Sequence, residues 1–325
     1  MSILLAMQGA VAQGVLWSIM TLGVYLSFRV LDFADLTVDG SFATGGAVSA
    51  VLISSGMDPL LSPLIAFIIG CMTGVITALL HTKLKINGIL ASILTMIALY
   101  SINIRIMGKA NIPLLGVDTL MTNMKALFGI SKTVASLIVG IIFVVIIIFL
   151  LYWFFGTELG CAIRATGNNK KMVRAQGVHT DNMIIIGLAI SNGLVALSGG
   201  LVAQSQGYAD VMMGTGTIVI GLASVIIGEV LFRNLTSFFK VLIAVVLGSV
   251  IYRIIIAVVL QLGLKSTDLK LFTAIIVALA LALPVLQDGK AQRKQKKARL
   301  KEIAEEEAED ALENTTVTGG SNADA

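Results

Sequence analysis

The side chains that could do chemistry in this sequence are few, and they stand among apolar neighbours. Asp35, Asp39 and Asp210 each follow an apolar run and precede a stretch rich in Gly, Ala and Ser. A carboxylate beside a membrane segment is costly and marks a solute path, a proton relay or a cation site. Asp39 has a second, preferred reading as the cap of a helix that starts at Gly40. Asn103, Arg105, Asn192 and Gln204 are polar residues in or near apolar runs. Each would either line a cavity or hydrogen-bond a neighbouring helix, the commoner use. His81 and His179 are isolated, in or beside basic loops, and read as surface residues. Cys71 and Cys161 read as free thiols. The sequence has no Gly-x-x-x-x-Gly-Lys-Ser/Thr run, no His-Glu-x-x-His, no cysteine cluster and no Ser/His/Asp set. A P-loop ATPase, a zinc hydrolase and a triad hydrolase are therefore not expected, and no metal site or cofactor is expected in this chain. The chain reads as a non-catalytic protein.

The elements that must position these groups follow from composition. Of 325 residues, 57% are hydrophobic and 13% charged, and the mean hydropathy is +0.94. A soluble domain carries about 25% charge, so the solvent of this chain is the lipid bilayer. Crossing the hydrocarbon takes about 20 apolar residues as a helix. Such runs are Gln8–Phe28, Leu60–Leu80, Ile86–Ile104, Thr133–Phe155, Met183–Ala203, Phe238–Leu262 and Leu269–Leu286, with shorter ones at Gly40–Ile53 and Thr217–Phe232. The expectation is an all-α polytopic membrane protein of about eight or nine spans, the two short ones broken or re-entrant. The first run lacks the basic flank of a cleavable signal and is expected to stay as a span.

Lys83, Lys85, Arg164, Lys170, Lys171, Arg174, Arg233 and Lys240 fall in alternate connections. The positive-inside rule places these in the cytoplasm, with the N-terminus outside and the C-terminus inside. The pI of 9.0 is thus a sign of topology and not of nucleic-acid binding. Residues 1–288 read as the transmembrane domain and 289–325 as a charged cytoplasmic tail. Its basic first half meets lipid headgroups, and Thr315–Ala325 is expected to be disordered. The outer connection Asn111–Lys132 reads as loop or as a helix lying on the membrane surface.

Two stretches match at a constant offset of 175 residues. Phe33-Ala34-Asp35-Leu36 corresponds to Tyr208-Ala209-Asp210-Val211, Gly46 to Gly221 and Ser49 to Ser224. The copies begin on opposite sides of the membrane, so the repeat is inverted, a plan that places a site near the midplane. Gly45, Gly46, Gly216 and Gly221 would let backbones approach closely or let a helix break around a cavity. With Asp35, Asp39, Asn103 and Asp210 they are the candidate translocation pathway.

The connection Thr157–Asn182 is long and basic. Glu158–Thr166 reads as one short helix stopped by Gly167-Asn168-Asn169, and Lys170–Gln176 as a second, with Thr180 or Asp181 capping the next span. Such a piece would either dock onto a soluble partner or rest on headgroups. Its sequence is Gly160, Ile163-Arg164-Ala165, Asn168-Asn169, Met172, Ala175, Gly177-Val178 and Thr180-Asp181. It resembles the cytoplasmic loop of permeases in the branched-chain amino-acid importer family of ABC transporters, and Asp32-Phe33-Ala34 resembles that family's Asn-Phe-Ala motif. The sequence departs at Asp32, and at Asp35-Leu36 where His-Gly is usual, as in a sub-branch paired with lipoprotein-type substrate-binding proteins.

The resemblance covers roughly residues 8–286. It implies a permease subunit of a bacterial inner-membrane importer for a small solute such as an amino acid. It also implies a coupling helix, with Glu158, Gly160, Ile163, Arg164, Ala165, Gly167, Asn168 and Asn169 against an ATP-binding cassette subunit that holds the ATP and Mg. A second permease copy or paralogue and an extracytoplasmic binding protein complete that assembly. The other class in play is an ion-coupled secondary carrier working without an ATPase, with Asp35, Asp210 or Glu229 as coupling sites.

Overall fold

Apolar runs of this length leave their backbone no partner but itself in lipid, and they fold as helices. A computed structural model describes residues 2–232 and 237–261, together with 271, 273–275, 278 and 282. The chain begins with α1 (Ser2–Tyr25), whose last turn widens into a π-turn at Leu26–Val30. Then come α2 (Thr37–Ser54), α3 (Leu61–Thr82) and α4 (Gly88–Met107). A strand β1 (Asn111–Pro113) and a short helix α5 (Leu120–Phe128) lead into α6 (Lys132–Phe155). The pair α7 (Glu158–Asn168) and α8 (Lys170–Ala175) precedes α9 (Thr180–Gln206). After strand β2 (Tyr208–Asp210) come α10 (Thr217–Leu231) and α11 (Phe238–Gln261).

Six of these helices are long and apolar enough to cross a membrane, and α10 is a shorter apolar helix. The fold is all-α and polytopic, as read from the sequence. Eight of the nine expected spans match α1, α2, α3, α4, α6, α9, α10 and α11. The ninth, Leu269–Leu286, falls mostly outside the described residues, as do the 288/289 boundary and the tail. The expected break inside the two short spans is not found. Both α2 and α10 are continuous, and the irregular backbone lies before them, at 31–36 and 207–216.

The surface connection holds both a strand and a helix. β1 pairs antiparallel with β2, Asn111 opposite Asp210, a pairing between segments some hundred residues apart that no local pattern signals. α5 is capped reciprocally by Thr119 and Thr122. It buries Met121 and exposes Leu127 and Phe128, the amphipathic arrangement expected of a surface helix.

Helices α1, α2 and α9 form the centre. α6 shows why the periphery differs. Its Val139, Val144, Ile148 and Leu151 face inward, while Ile142, Val145, Phe149 and Trp153 stay exposed on the other side, a face suited to lipid. The central crossings use glycine. A Cβ at Gly45 would strike the Ala196 carbonyl, one at Gly199 the Phe42 carbonyl, and one at Gly74 the Leu188 carbonyl. With no hydrophobic drive between helices in lipid, such backbone contact is the main source of packing energy.

The 175-residue offset recurs in the packing. Asp35 Oδ1 accepts from Thr37 N at 2.9 Å and Asp210 Oδ1 from Met212 N at 2.7 Å, the same turn at equivalent positions. Gly46 lies beside Gly199, and its equivalent Gly221 lies against Val24, the equivalent of Gly199. Ser198 Oγ donates to the Leu16 carbonyl at 2.8 Å and Ser191 Oγ to the Gly23 carbonyl at 2.7 Å. The equivalent helices α1 and α9 thus run antiparallel, as an inverted repeat requires.

Glycine at the crossing, and not glycine in general, is what this core needs. Gly45→Val should lower the melting temperature of the detergent-purified protein sharply, because overfilling a packed core costs about 1–3 kcal/mol and here the obstacle is backbone. Gly9→Ala, where nothing lies within 4 Å, should melt at or slightly above the parent. Equal melting of the two variants would contradict this account of the crossing.

Candidate functional site

A buried polar seam runs between α2, α3 and α9. Asn192 Nδ2 donates to Asp35 Oδ2 at 2.6 Å, and Asp35 is 1% exposed. Ser41 Oγ donates to Asn192 Oδ1 at 2.7 Å and lies 2.7 Å from Thr73 Oγ1. Thr37 Oγ1 lies 2.8 Å from Thr77 Oγ1. Toward the other end of the same helices, Gln204 Nε2 donates to the Pro59 carbonyl at 3.0 Å and Ser62 Oγ at 3.2 Å, while its Oε1 accepts from Leu120 N at 3.0 Å. Asn192 and Gln204 therefore hydrogen-bond between helices. Asp35 is a buried carboxylate with each oxygen accepting one hydrogen bond, from Thr37 N and from Asn192 Nδ2.

Asp39 departs from the sequence reading. It lies in the first turn of α2, two residues after the helix has begun, and caps a different helix. Its Oδ1 accepts from Thr217 Oγ1 at 2.8 Å and Ile218 N at 2.9 Å, and its Oδ2 from Gly216 N at 2.8 Å. Gly216 adopts φ +83 as the residue before α10. A capping carboxylate also meets the positive end of that helix dipole, so the first repeat caps the second.

Beside this cap lies a cavity of about 380 Å³, lined by Asp39, Gly40, Asn103, Val211, Met212 and Thr215 among others. Asn103 is 1% exposed, and neither of its amide atoms has a hydrogen-bond partner among the described residues. Of the candidate pathway residues, Asp39 and Asn103 line this cavity, and Asp210 sits next to its wall. Gly45, Gly46 and Gly221 are helix crossings, and Gly216 is the cap position. Arg105 is exposed.

The second candidate region is at the other end of α1. α7 is held by its small and apolar side. A Cβ at Gly160 would strike the Phe154 carbonyl and one at Gly167 the Val30 carbonyl, and Ile163 is fully buried. Glu158, Arg164, Asn168 and Asn169 are exposed and Ala165 is half-buried. The helix begins at Thr157, whose hydroxyl accepts from Gly160 N, and Asn169 caps α8 by accepting from Met172 N at 3.1 Å. Next to it opens a cleft of about 750 Å³ lined by Arg29, Asp32, Cys161, Arg164 and Asn168. The Arg164 guanidinium lies 5.0 Å over the Phe238 ring.

Asp32 has φ +51, a conformation that Asn and Asp tolerate better than other side chains. Arg29 makes a bidentate pair with Glu229, both contacts at 2.8 Å, which ties the π-turn to the end of α10. Asp181 does not cap α9; it pairs with Arg174 at 3.0 Å and Lys85 at 3.7 Å. His81 is half-buried, its Nδ1 2.8 Å from the Ile86 carbonyl, and is not the surface residue the sequence suggested.

The family model for the branched-chain amino acid transport system permease component matches residues 6–283. The chain belongs to this permease family. It is 43% identical over 270 residues, 83% of this chain and 88% of the relative, to a tyrosine transport system permease protein of Clostridioides difficile (strain R20291). It is 34% identical over 276 residues, 84% of this chain and 95% of the relative, to an uncharacterised protein of Rickettsia prowazekii (strain Madrid E). No solved structure gives a significant match. The resemblance read from the loop after α6 was to this same family.

In this permease the sequence left three things unseen: the cap from Asp39 to α10, the Arg29–Glu229 pair, and the Ser/Thr ladder that receives Asn192. Only the second had a signal, two lone opposite charges at the ends of apolar runs. Asp39→Ala should cost about 0.5–2 kcal/mol and speed amide exchange at residues 216–218. Asn192→Leu, which orphans Asp35 Oδ2 while Ser41 keeps Thr73, should cost about 1–3 kcal/mol. Thermal melts in detergent and hydrogen-exchange mass spectrometry measure both, and parental stability in a variant would contradict the role given to that residue, the cap for Asp39 or the seam for Asn192.

Proposed function

We propose that this permease is the membrane-spanning subunit of an ATP-driven importer for an amino acid, tyrosine or a close aromatic relative in the first instance. The observation that carries the proposal is α7. Its anchoring side (Gly160, Ile163, Gly167) is buried against α1 and α6, and its other side presents Glu158, Arg164, Asn168 and Asn169 beside an open cleft. That is how a rigid docking element is built: a helix fixed by backbone contact, with its polar groups left for a partner. The named tyrosine-transport relative supports the choice of solute.

In this reading the α7–α8 end faces the cytoplasm of a bacterial inner membrane, as does the C-terminus. Lys83, Lys85, Lys170, Lys171 and Arg174 gather at that end, which supports the orientation. An ATP-binding cassette subunit sits on α7 and holds the ATP and Mg. A second permease, identical or paralogous, completes the pathway, and an extracytoplasmic binding protein delivers the solute. Closure of the ATPase subunits pulls on α7, and the two repeats rock about their crossing to alternate access.

The double substitution Arg164→Glu, Ala165→Glu changes the presented side and leaves the anchors in place. In membranes the chain should insert normally, while co-purification of the ATPase subunit and ATP-driven uptake of L-tyrosine should fall by about tenfold or more. Unchanged co-purification would sink the docking assignment. Uptake by the permease alone, driven by an ion gradient in vesicles, would replace this reading with that of a secondary carrier.

A further inference from the structure

Asn103 is the most anomalous polar residue in the described structure. It lies inside a membrane helix, 1% exposed, with both amide atoms unpartnered. Buried amides in lipid bond to a neighbour as a rule, and an exception asks for an explanation. Here Asn103 is one of the residues lining the cavity of about 380 Å³, which is within the range of small-molecule pockets. The same lining includes Asp39, and Met96, Ile97, Tyr100 and Met212 form an apolar and aromatic remainder.

We infer that this cavity is a solute subsite for a zwitterionic α-amino acid with a bulky side chain, and that Asn103 reads its charged head. A side-chain amide offers two N–H donors and one acceptor oxygen. That set complements a head group that carries a carboxylate and an ammonium. The charge on Asp39 biases the ammonium toward its side of the wall, although Gly216, Thr217 and Ile218 already use part of its accepting capacity. The apolar remainder takes the side chain. The assignment of solute class rests on the importer reading above; the placement of the site rests on Asn103 and the cavity.

The test uses the permease with its ATPase subunit in lipid nanodiscs, without the binding protein. Tritiated L-tyrosine is the probe, read by scintillation proximity. The wild-type complex should bind it, and tyramine and 3-(4-hydroxyphenyl)propionate, which lack one or the other charge, should compete about tenfold or more weakly. Asn103→Leu removes the amide at similar volume. It should melt no lower than the parent without solute, and bind L-tyrosine about tenfold or more weakly. Ile97→Trp narrows the cavity from a residue 59% exposed, so the fold is spared, and binding should be lost. Wild-type affinity in Asn103→Leu, tyramine competing as well as L-tyrosine, or no binding by the wild type would each overturn the inference. Binding as expected without ATP-driven uptake would instead strike the importer reading and leave the subsite standing.

Discussion

A carboxylate buried among apolar helices must be met by donors, and the centre of this permease is arranged to meet Asp35. The 2.6 Å hydrogen bond from Asn192 ties the segment before α2 to the middle of α9, and Asn192 in turn receives Ser41. For these groups to meet, the three backbones must lie closer than side chains of ordinary size permit. The glycines at 45, 70, 74, 193 and 199 provide that closeness. The polar seam and the glycine crossings are thus one constraint seen from two sides, since an unsatisfied polar group in lipid costs several kcal/mol.

The inverted repeat uses one local device for two ends. Asp35 and Asp210 make the same turn, and each receives an asparagine amide, from Asn192 at 2.6 Å and from Asn111 at 3.3 Å. The first is sealed in the core; the second is half-buried at a two-strand ladder. The symmetry fixes where the chain reverses, and the departures from symmetry decide what each reversal does. One copy closes the core, and the other borders the cavity that holds Asn103. Asp39 and Arg29 then join the repeats, each through a partner on or just before α10.

Much of this was legible in the sequence because it follows from solvent and length. A span must be apolar and about 20 residues long, so the eight spans within the described residues stood out. The loop Thr157–Asn182 was legible because its polar and basic residues interrupt the apolar runs, with Gly167-Asn168-Asn169 dividing it into two helical pieces. Two short helices were read there, within a few residues of α7 and α8. The repeat showed through because an Asp turn of this kind needs particular residues. What stayed hidden depends on distance in the chain. Asp39 resembled a local cap because Gly40 follows it, and only the folded arrangement brings residues 216–218 to its oxygens. The difference between Asn192, fully bonded, and Asn103, unpartnered, has no sequence correlate either. Both are asparagines in apolar helices, and neighbours from other helices decide their state.

The cap from Asp39 to α10 also orders the birth of the protein. The ribosome delivers Asp39 to the membrane long before it makes Gly216, and Asp35 long before Asn192. Through that interval the nascent chain carries two carboxylates whose donors from the second repeat do not yet exist, so neither contact can close until that repeat has been made. A product cut short anywhere before residue 192 makes neither contact, so the junction of the two repeats closes only in a chain synthesised past Ile218.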